Sequence, residues 1–239
     1  RKYYDAIANL KKKNKDDYTK RITLEAFDVQ KAGSTVGGDM DSVIKKASYS
    51  TQIHDPRSKW FDNLYYLMGR ASYIKNDFDG AITTFQFIAN EYKNTNQKKN
   101  KNKSSNASGN EQTGIATIDN RKGIRRLRHH PVRNEALLWL AKSYIQAEQY
   151  SEAMALLETL EKDKNFPKRN RADLYHTKAS LELIQKNDKD AILSLEKLIT
   201  YKLPNQQRAR SEFVLGQLYA EQEEYTKSSD NFKKSISGK

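Results

Sequence analysis

Cysteine is absent from all 239 residues, which excludes disulfides and every form of thiolate chemistry. No apolar run approaches the roughly 18 residues that a membrane-spanning helix requires. Apolar residues make up 36% of the chain, below the roughly 45–50% typical of a globular domain. Histidines number four: His54 and His176 stand alone, and His129 and His130 are adjacent with no cysteine near them. Adjacent side chains do not converge on one metal ion as residues one helical turn apart do. The carboxylates form no recognisable pair with a histidine or a nucleophile. The stretch AGSTVGGD at 32–39 lacks the Gly-Lys-Ser/Thr ending of a phosphate loop. The sequence therefore points away from an enzyme and offers no catalytic residue, metal ligand or cofactor site.

What the chain does have is a recurring beat of small residues. Gly69, Ala81 and Phe85 follow one another at intervals of twelve and four. The same intervals return at Ala141, Ala153 and Leu157, at Ala179, Ala191 and Leu195, and at Gly216, Ser228 and Phe232. A small residue on each of two antiparallel helices, with a bulky apolar one a turn later, is the tetratricopeptide pattern. Such a pair cannot bury its apolar face alone, so units stack. Three of the second helices open with an aromatic residue three positions before the small one (Phe78, Tyr150 and Tyr225); Asp188 takes that slot in the third unit. The predicted fold class is an all-α solenoid of antiparallel helix pairs with a short N-terminal leader and one long disordered basic insert. Its predicted segments are a helical leader at 1–58, a first full repeat at 59–94, the insert at 95–130 and three further repeats at 131–239. Pro56, Pro131, Pro167 and Pro204 each fall ahead of a predicted first helix, where proline is tolerated. Asp77 and Ser151 are the expected N-caps of second helices.

In the leader, Tyr3, Ile7 and Leu10 predict a short helix ended by the lysines at 11–13. Residues 18–27 alternate weakly and read as strand, turn or loop. Gly33, Gly37 and Gly38 predict a flexible link ahead of a helix that carries Met40, Val43, Ile44, Ala47 and Ile53 on one face. In the insert, residues 94–114 are Asn, Lys, Ser and Gln with almost nothing to bury, a composition that predicts disorder. Residues 95–133 hold ten Lys or Arg against Glu111 and Asp119, a net of +8 out of the chain's +13. Arg121, Lys122, Arg125, Arg126, Arg128 and Arg133 form its basic cluster. Three readings stay open for it: a solvated loop, a docking surface for an acidic partner or polyanion, or nucleic acid. The absence of aromatic residues between 93 and 138 leaves no platform for stacking bases.

A solenoid of this kind binds partners along its first helices. By register the groove positions are Asn63, Tyr66, Arg70 and Tyr73 in the first unit. They are Glu135, Lys142 and Gln146 in the second, Asp173, His176 and Ser180 in the third, and Arg210, Phe213 and Gln217 in the last. Tyr66, Tyr73 and Phe213 are the expected anchors, because aromatic residues dominate interface hot spots. Packing on the next repeat is the alternative for Tyr66 and Phe213. The last helix ends without a polar cap, so the array is expected to continue beyond it.

The order of segments carries a resemblance. DMDSVIKKAS, then KWFDNLYYLMGRASYIKNDFDGAITTFQFI, then RNEALLWLAKSYIQAEQYSEAMALLETL, resembles the N-terminal part of the gliding-motility and type IX secretion lipoproteins of Bacteroidota, the SprE/PorW family. The leader YYDAIANLKKK…DDYTKRITLEAF is similar as well, whereas the insert maps to nothing in the family. The resemblance implies a periplasmic protein held at the outer membrane by a lipid anchor upstream of Arg1. It also implies protein partners, namely secretion-machinery subunits of the translocon and the periplasmic ring, and it brings no catalytic residues. Contact with the membrane is expected only through that anchor.

Overall fold

A computed structural model of the chain describes residues 1–55, 58, 60–92, 115–117 and 129–237. Every regular element among them is helical. The helices are α1 (Lys2–Lys13), α2 (Val29–Ile53), α3 (Phe61–Ile74), α4 (Phe78–Glu91), α5 (Arg133–Gln146), α6 (Tyr150–Lys162), α7 (Arg171–Ile184), α8 (Asp188–Ile199), α9 (Asn205–Glu221) and α10 (Tyr225–Ser237). A single 3-10 turn, Lys168–Asn170, precedes α7. The chain divides into two compact units. One is Met40–Asn170; the other joins Arg1–Asp39 to Arg171–Lys239. Within the first, α3 pairs with α4 and α5 with α6, and α4 also packs on α5. Within the second, α7 pairs with α8 and α9 with α10, and α8 also packs on α9.

The small residues lie where the pairs cross. Ala81, Ala141, Ala153, Ala179 and Ala191 have no exposed surface, and neither do Phe85, Leu157 and Leu195. A Cβ built on Gly69 would stand 2.8 Å from the ring of Phe85, and one on Gly216 would stand 2.8 Å from the ring of Phe232. Where the bulky partner is a phenylalanine the facing residue is glycine; where it is leucine the facing residue is alanine. The two choices fill one space. In the last pair the small residue on the second helix is Ser228, whose hydroxyl donates to the Gly216 carbonyl at 2.9 Å, satisfying a buried polar group.

Each pair turns through the same geometry. Asn76, Glu148, Lys186 and Glu223 all have φ between 59° and 69°. Each stands seven residues after the small residue of its first helix. The next amide donates back across the turn, Asp77 to Ser72, Gln149 to Tyr144, Asn187 to Glu182 and Glu224 to Tyr219, at 2.8–2.9 Å. This left-handed closure satisfies carbonyls that the helix end leaves open. At the start of α4, Asp77 accepts from the Gly80 amide at 3.0 Å. Ser151 is not a cap: it lies inside α6, whose N-cap position is Gln149 with no side-chain cap bond.

The glycine link expected before Met40 is helix. The helix α2 runs through Gly33, Gly37 and Gly38, and Val29, Ala32, Val36, Met40, Val43 and Ala47 along it are buried. Those positions repeat every three or four residues, so burial of one stripe offsets the roughly 0.5–1 kcal/mol that each helical glycine costs. Residues 14–28 form turns, bends and irregular chain between α1 and α2. Most of the insert, and Pro56, lie outside the described residues.

Two predictions follow from this packing. Gly69→Ala and Gly216→Ala each lower stability by about 1–3 kcal/mol, because Phe85 and Phe232 are forced off their positions; thermal unfolding measures the loss. Glu148→Gly instead raises stability by about 1 kcal/mol, since glycine carries no side-chain penalty at positive φ. A denaturation midpoint that falls on that substitution contradicts the strained-turn account.

Candidate functional site

The richest cluster of directed polar groups lies in the unit built from the two ends of the chain. It begins with a local turn. Asp17 accepts from the Thr19 amide at 3.1 Å and the Thr19 hydroxyl at 2.6 Å. Those bonds hold the Asp17 carboxyl below its usual pKa. Side-chain turns of this kind are a standard use of aspartate. From Arg21 to Thr23 the chain is neither helix, turn nor bend, and residues 24–27 bend away. Ile22 and Leu24 are buried, whereas Thr23 between them is exposed, the period of two expected of an extended strand lying on a surface.

The side chains of α7, α8 and α9 hold this segment. Gln217 donates from its amide to the Lys20 carbonyl at 2.9 Å and accepts from the Ile22 amide at 3.1 Å. One side-chain amide thus replaces a neighbouring β-strand. Arg210 donates to the Thr23 carbonyl at 2.8 Å and pairs with Asp16. His176 Nε2 lies 3.4 Å from the Leu24 carbonyl, and its Nδ1 lies 3.7 Å from the Glu25 carboxylate. The ring of Tyr18 meets that of Phe213 edge-on, with centroids 5.3 Å apart. Arg21 reaches two carboxylates. It binds Asp188 through both terminal nitrogens, at 2.6 and 2.9 Å, and pairs with Glu221 through Nε at 3.2 Å and Nη2. Hydrogen bonds to Asp188 and then Glu221 raise the Arg21 pKa further, so its charge is permanent. Bidentate guanidinium–carboxylate pairing adds direction as well as attraction.

Four of the six positions expected to face a partner in the last two units, His176, Arg210, Phe213 and Gln217, therefore face residues 16–25 of the same chain. Their counterparts in the other unit engage differently. Asn63 lies beside Asp62 and His129, with Nδ2 2.8 Å from each. Arg70 stands over the rings of Tyr66 and Trp139, at 5.3 and 5.0 Å, and Lys142 stands 5.2 Å from the Trp139 ring. Cations over an indole face are held by its quadrupole. Gln146 is half-buried near the end of α5. Tyr73 is not on this face. It is buried, edge-on to Trp139 at 5.1 Å and to Phe78 at 5.7 Å. Four residues past Gly69 is about 40° round the helix, inside the packing stripe, whereas the offsets −6, −3 and +1 fall at about 60–120°.

Arg133 also departs from expectation. It is buried in the first turn of α5, so it belongs to no basic surface. Its Nε donates to the Ala89 carbonyl at 2.7 Å, and its Nη1 donates to the Ile115 carbonyl and to the Thr117 hydroxyl, the latter at 2.9 Å. Burial lowers its pKa. Beside it Asn134 pairs with both the amide and the carbonyl of Thr117 at 2.8 Å, and Asp163 accepts from the Ala116 amide at 2.7 Å. These three side chains pin residues 115–117 of the insert. Arg121, Lys122, Arg125, Arg126 and Arg128 lie outside the described residues. The two adjacent histidines do have carboxylate neighbours: His129 Nε2 is 2.9 Å from Asp62, and His130 Nε2 is 3.3 Å from Glu135. No group of three or more metal-binding side chains occurs among the described residues.

Sequence reasoning missed Asp16, Arg21, Asp188, Glu221 and Trp139. Asp188 had a signal: it occupies the slot that is aromatic in the other three pairs. In the structure that position makes the bidentate bond to Arg21.

Replacing Gln217 by Ala removes both backbone bonds. Amide exchange at Ile22 then speeds up by roughly 2- to 10-fold, the equivalent of about 0.5–1.5 kcal/mol per hydrogen bond. Exchange at the Ile192 amide in α8 stays unchanged; NMR-detected exchange reads both, and an unaltered Ile22 rate contradicts this assignment.

No helix among the described residues is long and apolar enough to cross a membrane. No curated protein matches the chain. Residues 135–163, nearly all of α5 and α6, match the family model described as the tetratricopeptide repeat. With helix pairs of the same register on both sides of that match, the chain has the all-α fold of the tetratricopeptide solenoid class.

Proposed function

We propose that this chain is a non-enzymatic adaptor of the type IX secretion and gliding-motility machinery of Bacteroidota. In this reading it lies in the periplasm, is held at the outer membrane by a lipid anchor, and links the translocon to the energising complex below. Tetratricopeptide repeats serve as protein-interaction scaffolds, and one such repeat is matched here. The single observation that carries the scaffold reading is the grip of α7 and α9 on an extended polypeptide, made through Gln217 and Arg210 to main-chain atoms. A face that reads backbone is suited to holding protein. Support for the secretion assignment is the resemblance of the leader and of the segments around α2, α3 and α5. The alternative is a scaffold of the same kind in another envelope or regulatory complex. The basic stretch at 121–128 is a further contact for an acidic partner or polyanion.

The test is capture from solubilised Bacteroidota envelopes with the tagged full chain. Mass spectrometry is expected to find outer-membrane translocon subunits together with inner-membrane motor subunits. Recovery of cytosolic proteins alone removes the secretion assignment.

A further inference from the structure

We infer that residues 16–25 are a tethered ligand, and that the face formed by His176, Asp188, Arg210, Gln217 and Glu221 takes from a partner an extended segment carrying arginine with aliphatic residues one and three positions later. The inference rests on the scaffold reading and narrows it to one face and one peptide chemistry. Three observations support it. The bonds from Gln217 and Arg210 go to the Lys20 carbonyl, the Ile22 amide and the Thr23 carbonyl, which every extended peptide offers. Selectivity is left to two features: the Asp188–Glu221 pair, which fits the fork of an arginine, and the sites that bury Ile22 and Leu24. Finally, residues 14–28 contain no helix or strand, so their release breaks no secondary structure. A partner segment with the same pattern reproduces each lost bond in kind. It is this match of arginine to a carboxylate pair, not apolar area, that names the occupant.

A ligand tethered at both ends acts at an effective concentration of about millimolar. The wild-type face is therefore closed to weak peptides and opens to a competitor that binds more tightly or arrives at several points. The device sets a threshold for partner binding.

The probe is a fluorescein-labelled peptide with the sequence of residues 14–27, measured by anisotropy against the full chain. Arg21→Glu in the protein weakens the tethered copy without touching the face. The peptide is expected to bind that variant at least 10-fold more tightly than wild type. Adding Gln217→Ala is expected to weaken it again at least 5-fold, and a peptide with its own arginine changed to glutamate is expected to lose binding. Circular dichroism melts establish that the variants are folded. Equal affinity for wild type and Arg21→Glu, or no binding to a folded Arg21→Glu chain, overturns the inference. Should that variant not fold, wild type is titrated with unlabelled peptide to millimolar concentration and Ile22 amide exchange is followed. Faster exchange at Ile22 supports displacement, and an unchanged rate overturns it. Sedimentation over a range of concentrations covers the other occupant: a dimer abolished by Gln217→Ala assigns the face to a second copy and also overturns the inference. Failure here is distinct from failure of the adaptor reading. Envelope capture that survives Gln217→Ala shows a partner using another face, whereas loss of capture by wild type removes the adaptor itself.

Discussion

Close approach of two helix backbones is the constraint from which the rest follows. Gly69 faces Phe85 and Gly216 faces Phe232, and in the two pairs between, an alanine and a leucine at the same spacing are both fully buried. Each crossing holds one large side chain and one small one, at the density of a protein interior. That complementarity sets the distance within a pair and so the register of everything else on the first helix. Once the small residue points at its partner helix, the residues at −6, −3 and +1 are carried to an adjoining flank, about 60–120° round the helix. Asn63, Arg70, Lys142, His176, Arg210 and Gln217 make their polar or cation–ring contacts from there.

That flank is where the repeats stop resembling one another. Arg70 and Lys142 stand over Trp139 in one unit, Arg70 also over Tyr66, while His176, Arg210, Phe213 and Gln217 line residues 16–25 in the other. Two of these residues also brace the crossing: Phe213 lies 5.1 Å from Phe232 and Tyr66 lies 6.2 Å from Phe85, ring centroid to ring centroid. Asp188 shows the logic in one residue. Its slot is filled by Phe78, Tyr150 and Tyr225 in the other pairs, and here a carboxylate takes the place of an aromatic ring. What it gains is a bidentate bond to Arg21 in a partly shielded setting, where charge-assisted bonds are roughly twice as strong as neutral ones. Arg133 and Asn134 repeat the theme at the start of α5, where side chains again stand in for a β-strand and hold residues 115–117.

Legibility in the sequence followed the range of the interaction. Periodic small residues announce helix pairs because the steric demand is local and repeats at fixed spacing. The left-handed turns gave little sign, since Asn76 alone favours that conformation and Glu148, Lys186 and Glu223 do not; the closing hydrogen bonds hold those three there against their own preference. The glycines at 33, 37 and 38 misled for the opposite reason. Their propensity argues for a link, but a buried stripe from Val29 to Ala47 is a stronger term and draws them into α2. Tyr73 lies about 20° short of the nearest groove position, a boundary that spacing alone resolves poorly on the ideal helix of 3.6 residues per turn.

By itself the sequence determined that this chain is helical, that it is built from pairs with undersized crossing residues, and that it carries no thiolate chemistry. Those properties depend on residue size and type over intervals of a dozen positions. Only the tertiary structure decided what faces the flank of α7 and α9. The bond from Ile22 to Gln217 joins residues 195 positions apart, and the pairing of Arg21 with Asp188 spans 167. No local period encodes such contacts. They exist because the helices first set their side chains at fixed points in space, and an extended segment with the right charges came to lie across them.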